Sequence, residues 1–271
     1  MKYILITGVS SGTGLGLTDK FIKAGYHVIG SVRTPKQASE SQSRFGERFT
    51  PLNFDVTKPD QVTTASKYLK DQLGIHYLSA IINNAGSAEI GPLLHVPVDE
   101  FRRQLDVLVV GQLSVIQAFY RFLIPDDKSI NSGRIINISS VSGVGTNYLF
   151  GCYASGKHAL EGLSKTLRKE CEIYGIKVIV VAPGNIATAI WDKQTEHIAA
   201  KYRNTDYFDS LISKIRSIAS TTVKEAMSIE EFSDAFYSVF EDPGAADRYT
   251  IIKSKNKKMP FGKAKVRILP S

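Results

Sequence analysis

Cysteine is scarce: Cys152 and Cys171 are the only two in 271 residues, and they have no metal-ligand spacing. That excludes a disulfide-stapled scaffold and a thiolate metal module. It points to a cytoplasmic protein with two reduced thiols, of which Cys152 adjoins a tyrosine and is either oxidation-sensitive or simply buried. No apolar run reaches the length of a membrane span. The first apolar stretch starts beside Met1, so no cleavable leader is expected. Linkers, internal repeats and low-complexity segments are also missing from the first 250 residues, so one domain is expected. A chain of this length buries roughly 75% of its unfolded surface, enough for a full α/β core.

Acidic residues are absent from one region. From Ile251 to the C-terminus there are seven basic residues (Lys253, Lys255, Lys257, Lys258, Lys263, Lys265 and Arg267) and none acidic. With a formal net charge of +8 overall, residues 1–250 are close to neutral. A basic run can bind nucleic acid or anionic lipid, and is as often merely solvated. Met259, Phe261, Val266, Ile268 and Leu269 are interleaved with it, which suggests an ordered or partner-contacting tail. No nucleic-acid partner is expected.

Residues 1–250 alternate between strand-like and helix-like stretches. Lys2–Thr7 is an apolar run followed by Gly8-Val-Ser-Ser-Gly12-Thr-Gly14, with Ser10, Ser11 and Thr13 between the glycines. A strand, a glycine-rich turn and a helix opening make a phosphate site, because backbone N–H groups approach the ligand at a helix N-terminus. A helix over Leu15–Ala24 precedes a strand over Tyr26–Val32, which ends at Arg33-Thr34. Further strands are expected at Phe49–Phe54, leading to Asp55-Val56, and at Ser79–Ile82, leading to Asn83-Asn84-Ala85-Gly86. One helical region runs from Val98 to Ile124, before a strand over Arg134–Ser139.

The most informative stretch is Ser140 to Lys157. Tyr153 and Lys157 are four residues apart, on one face of a helix expected from Tyr153 to Tyr174, and Ser140 closes the preceding strand. A phenol, an ammonium and a hydroxyl then converge. The ammonium is expected to lower the phenol's pKa from its usual value near 10 toward the working range. The next strand, Ile176–Ala182, leads into Pro183-Gly184-Asn-Ile186-Ala-Thr188, and a last strand is expected over Arg248–Lys253, before the basic tail.

The TGxxxGxG turn, Asn83-Asn-Ala-Gly86, the serine, YxxxK and Pro183-Gly184 occur in order. On them the chain, from Met1 to about Thr250, resembles the short-chain dehydrogenase/reductase family. The resemblance implies a single doubly wound α/β domain of Rossmann type, with a central parallel sheet and a helical substrate lid at about 189–223. It implies an oxidoreductase moving hydride between NADP(H) and an alcohol or carbonyl compound. Ser140, Tyr153 and Lys157 would be catalytic. Gly8, Ser10, Ser11, Gly12, Thr13, Gly14, Arg33, Asp55, Val56, Asn84, Ala85, Gly86, Tyr153, Lys157, Pro183, Gly184, Ile186 and Thr188 would bind the cofactor. Arg33, next to a neutral Val32, is the family pattern for a 2′-phosphate, and Asp55-Val56 lies against adenine, though Asp55 also suits a plain turn. A homo-oligomer is expected, and a lipophilic substrate is suggested by Ile190, Trp191, Ile198, Tyr202, Tyr207, Phe208, Leu211 and Ile212. These same residues would equally pack against the core.

One position departs from the pattern. Leu108 stands where the family usually carries an asparagine that holds a relay water, with Gln104 and Gln112 one turn to either side, suited equally to substitute for it or to serve the surface or an oligomer interface. That departure motivates a second reading, a cofactor-binding sensor or scaffold without efficient turnover.

Overall fold

The computed structural model describes residues 1–187, 198, 200–206, 208–209, 213 and 226–253, and the backbone of 265–269. The apolar runs become strands β1 (Tyr3–Ile6), β2 (His27–Val32), β3 (Phe49–Asn53), β4 (Ala80–Asn83), β5 (Arg134–Ile138), β6 (Lys177–Pro183), β7 (Arg248–Lys253) and β8 (Lys265–Leu269). They form one parallel sheet in the order β3-β2-β1-β4-β5-β6-β7-β8. The helices are α1 (Gly12–Lys23), α2 (Pro35–Phe45), α3 (Pro59–Asp71), α4 (Val98–Leu105), α5 (Gly111–Phe119), α6 (Gly151–Cys171) and α7 (Ile229–Phe240).

Alternation along β1 divides the core. Ile4 and Ile6 join Leu17, Phe21 and Phe236 in one apolar layer, and Leu5 joins Leu69, Val115 and Phe119 in the other. Buried strands of this kind are apolar on both faces because helices cover both. Chain order reverses between β1 and β4, and the crevice beyond the strand ends at such a switch point is where this architecture takes a ligand. The turns after β1 and β4 carry Gly8–Gly14 and Asn84–Gly86.

One expectation is refined and two change. The helical region before β5 is present from Val98 to Leu123, with α4 passing through a π turn (Asp106–Val110) into α5 and then a 3₁₀ turn (Tyr120–Leu123). A β-carbon on Gly111 would fall 2.9 Å from the Val56 carbonyl and 2.9 Å from that of Asp106, so glycine alone fits where the π turn meets the β3 loop. By length and composition, Val98–Leu123 is also apolar enough for a membrane span, with mean hydropathy 1.3 in a window that is 39% buried here. In this fold α5 packs on α3 and α4 on α6. Lastly, Arg248–Lys253 is not the final strand. The basic tail returns as β8, paired in parallel with β7 from Tyr249↔Lys265 to Lys253↔Leu269.

Candidate active site

The glycine turn is built for close approach. Gly8 and Gly12 take positive φ values, 71° and 56°. A β-carbon on Gly14 would fall 2.1 Å from the Gly8 carbonyl oxygen. Helix α1 starts at Gly12 with no side-chain cap from Ser11, and an uncapped helix start of this kind suits an anion. Ser31 Oγ accepts from the Gly8 N–H at 2.9 Å.

Asn84 and Thr13 bond each other. Thr13 Oγ1 donates to Asn84 Oδ1 at 2.7 Å, and Asn84 Nδ2 donates to the carbonyls of Thr7 and Gly8 at 2.9 and 3.2 Å. Both side chains thus tie the β1 turn to the β4 turn. Thr7, quoted in the motif but not singled out, completes the tie: its Oγ1 accepts from the N–H groups of Asn84 and Ala85 at 3.0 and 2.9 Å. The result leaves the backbones of Ala85 and Gly86 beside Gly8, whose β-carbon would come within 3.0 Å of Ala85 Cα.

Ser140 lies two residues beyond β5 and caps a 3₁₀ turn, Val141–Gly143, accepting from the Ser142 N–H at 3.1 Å. Its hydroxyl is hydrogen-bonded to Tyr153 near the start of α6. Lys157, one turn on and 5% exposed, donates from Nζ to the Ile138 carbonyl at 2.6 Å and lies 5.7 Å from the Tyr153 ring centroid. The three expected side chains are therefore brought together. Their electrostatics differ from the expectation. Burial pushes the Tyr153 phenol up, with the Ser140 hydrogen bond pulling the other way. The Lys157 ammonium faces a carbonyl and the ring, and Tyr153 rests as a neutral phenol. Burial also draws Lys157 down to about 8, opposed by Glu161.

Arg33 is exposed at the end of β2, its N–H bonded to Gln37 Oε1 at 3.0 Å. Asp55 Oδ1 accepts from the Thr57 N–H and hydroxyl at 2.9 and 2.8 Å, and Val56 is buried beside Gly111. The turn role of Asp55 is thus present, whatever else its second oxygen does. Gly184 donates to the Ile251 carbonyl at 2.8 Å and Ile186 bridges to Met227, so the segment after Pro183 is pinned beside β7. Thr188 lies outside the described residues, as do Ile190, Trp191, Tyr207, Leu211 and Ile212. Ile198 and Tyr202 pack with Ile90, Val96, Leu149 and Cys152, so these two serve a core. Lys201 beside them binds Glu89 Oε1 at 2.6 Å and also Glu100. Cys152 and Cys171 are buried, and burial raises both thiols, which makes them poor nucleophiles.

The compensating glutamines are also accounted for. Gln104 Oε1 accepts from Glu89 N–H at 2.5 Å and its Nε2 donates to Ser87 O at 2.8 Å. Gln112 Nε2 donates to Ala85 O at 2.6 Å and Val107 O at 3.0 Å. They brace the loop after β4, and neither has a bond to Lys157 among these.

Residues 2–199 match the family model described as short chain dehydrogenase. The chain is 33% identical over 255 residues to an NADPH-dependent 3-dehydrocapnine reductase of Ornithobacterium rhinotracheale, covering 94% of this chain and 89% of that protein. It is 28% identical to retinol dehydrogenase 16 of Mus musculus over 244 residues, 85% of this chain and 75% of that one. A short chain dehydrogenase from Burkholderia cenocepacia solved in complex with NADP superposes with TM-score 0.69 at 25% identity, over 92% of this chain and 89% of that one. A structure of comparable fold likeness holds NAD instead. With the switch-point sheet and the serine–tyrosine–lysine group already in place, the match makes this chain a member of the short-chain dehydrogenase/reductase family of oxidoreductases.

Proposed function

We propose that this chain transfers hydride between NADP(H) and an alcohol or carbonyl compound, a lipophilic one, and that it runs as a carbonyl reductase. The observation that carries the reading is the Ser140–Tyr153–Lys157 group, with Tyr153 protonated beside a buried ammonium. The residues fit the cofactor: Gly14 has no room for a β-carbon and one on Gly8 would press on Ala85, and the uncapped start of α1 suits a pyrophosphate. The Gly8–Gly14 turn and the backbones of Ala85 and Gly86 would hold the phosphates and the nicotinamide ribose side. Arg33 would hold the 2′-phosphate, Asp55 and Val56 the adenine, and Pro183, Gly184, Ile186 and Thr188 the carboxamide. When bound, the nicotinamide supplies or takes the hydride.

The chain's own residues manage the oxygen. Ser140 donates a hydrogen bond to the carbonyl oxygen, and Tyr153 delivers its phenolic proton there as the carbon is reduced, yielding the alcohol. Lys157 stabilises the phenolate left behind and binds the ribose hydroxyls. The retinol-acting relative and the apolar residues of 189–223 support a lipophilic substrate. Exposed Val98 and Val110 on α4 and the π turn support assembly with further copies. Leu108 remains the observation behind a second reading, a cofactor-bound sensor. NADPH oxidation across a panel of aldehydes, ketones and steroids separates the two: turnover supports the reductase, and NADPH binding without turnover on any carbonyl supports the sensor.

A further inference from the structure

The mechanism leaves one buried charged pair unused. Glu161 and Arg248 have side chains 5% and 9% exposed, and Arg248 Nε donates to both carboxylate oxygens, at 3.1 and 3.0 Å. Arg248 opens β7 and donates from Nη1 to Thr250 Oγ1 at 2.9 Å. Taking two charges out of water is costly, and a well-packed apolar pair is often as stable, so stability alone is a weak reason for the arrangement. Its position supplies another. Glu161 lies one turn beyond Lys157 on the same face of α6. It also abuts the turn bearing Ser140, because a β-carbon on Gly143 would fall 2.9 Å from Glu161 Cγ and 3.0 Å from Oε1. One carboxylate therefore abuts the Ser140 turn and stands one helical turn from Lys157, and Arg248 anchors it to the sheet.

We propose that Glu161, held by Arg248, is a positioning residue that keeps Lys157 in its ammonium form and seats the Ser140 turn against α6. The groups around Lys157 are few. Strand β5 offers the Ile138 carbonyl, and the π turn packs the apolar Leu108 on neighbouring Gly156. The 139–143 turn offers hydroxyls, and α6 offers Tyr153 and Glu161, with Arg248 of β7 behind the latter. Burial draws Lys157 toward about 8 and the Glu161 carboxylate opposes that fall. Without the carboxylate the ammonium is lost at lower pH.

The proposal rests on the oxidoreductase reading for its kinetic consequence only, so the test titrates Lys157 directly. Isotope-labelled lysine side chains report protonation by NMR without turnover, and the Lys157 signal is identified by its loss in Lys157→Met. In Glu161→Gln the Lys157 midpoint is expected roughly one pH unit lower than in the parent. The alkaline limb of kcat/KM with NADPH and a carbonyl substrate should move with it, and Glu161→Asp should restore most of the shift. An unmoved midpoint in folded Glu161→Gln overturns the proposal. A moved midpoint in a chain that oxidises no NADPH upholds it and sinks the oxidoreductase reading instead. Where loss of the carboxylate unfolds the single variant, Glu161→Gln with Arg248→Gln removes both charges. There a smaller acid shift supports the proposal, and a midpoint equal to the parent's overturns it.

Discussion

Leu108 rests directly on Gly156: a β-carbon built on the glycine would fall 2.8 Å from the leucine Cδ1 and 3.1 Å from its Cβ. The leucine is wholly buried, and its Cδ2 lies 3.4 Å from where a β-carbon on Gly86 would be. Family members usually place an asparagine and a water here; this chain has filled the place with apolar contact. Leu108→Asn would bury an amide against two glycines. It is expected to lower stability by about 1–3 kcal/mol, seen as a lower urea midpoint at constant slope. An unchanged midpoint would mean that the amide finds partners and that the water site survives.

Arg33 is exposed at the end of β2 with neutral Val32 before it. A charge-assisted contact to a 2′-phosphate is worth about 1.5–3 kcal/mol, or roughly 10- to 100-fold in affinity. Arg33→Ala should therefore weaken NADPH by about that factor in a fluorescence titration and leave NADH nearly unchanged. Equal affinity of the parent for both cofactors would remove the argument.

Lys201, beside Tyr202, is held by Glu89 and Glu100, with Lys201 and Glu100 each 20% exposed. The Lys201 hydrogen bond holds the Glu100 carboxyl below its ordinary 4.5. A depressed carboxylate contributes stability above its unfolded pKa and loses it as pH falls through the folded value. Lys201→Met should thus cost about 1–3 kcal/mol at pH 7. The gap in melting temperature between variant and parent should close as pH drops below about 4.5. A gap that stays constant down to acid pH would show that packing, not charge, holds this contact.

Much of this was legible from local pattern. The strands, the Gly8–Gly14 turn and the convergence of Ser140, Tyr153 and Lys157 follow from apolar runs, glycines and a four-residue helical spacing. What local pattern missed was set by burial and by partners distant in sequence. Asn84 and Thr13 bond each other across 71 residues, a tie that no local spacing reveals. The direction of the Tyr153 shift depends on how deeply a ring packs, which no spacing reveals. Glu161 and Arg248 are 87 residues apart and meet only because β7 adds beside β6. The π turn and β8 escaped for the same reason, since one arises where Gly111 meets Val56 and the other where a basic tail finds a sheet edge.

The central claim is that Tyr153 is the acid that completes carbonyl reduction. Tyr153→Phe keeps the ring and deletes the transferable proton, so NADPH affinity should hold within a few-fold. Loss of a general acid typically costs 10²–10⁴-fold. NADPH oxidation with the best carbonyl from the panel, followed at 340 nm for parent and variant, is the direct measurement. A fall in kcat of about two orders of magnitude or more, with cofactor binding retained, is the predicted result. A phenylalanine variant that reduces the same carbonyl at near-parent rate would contradict it.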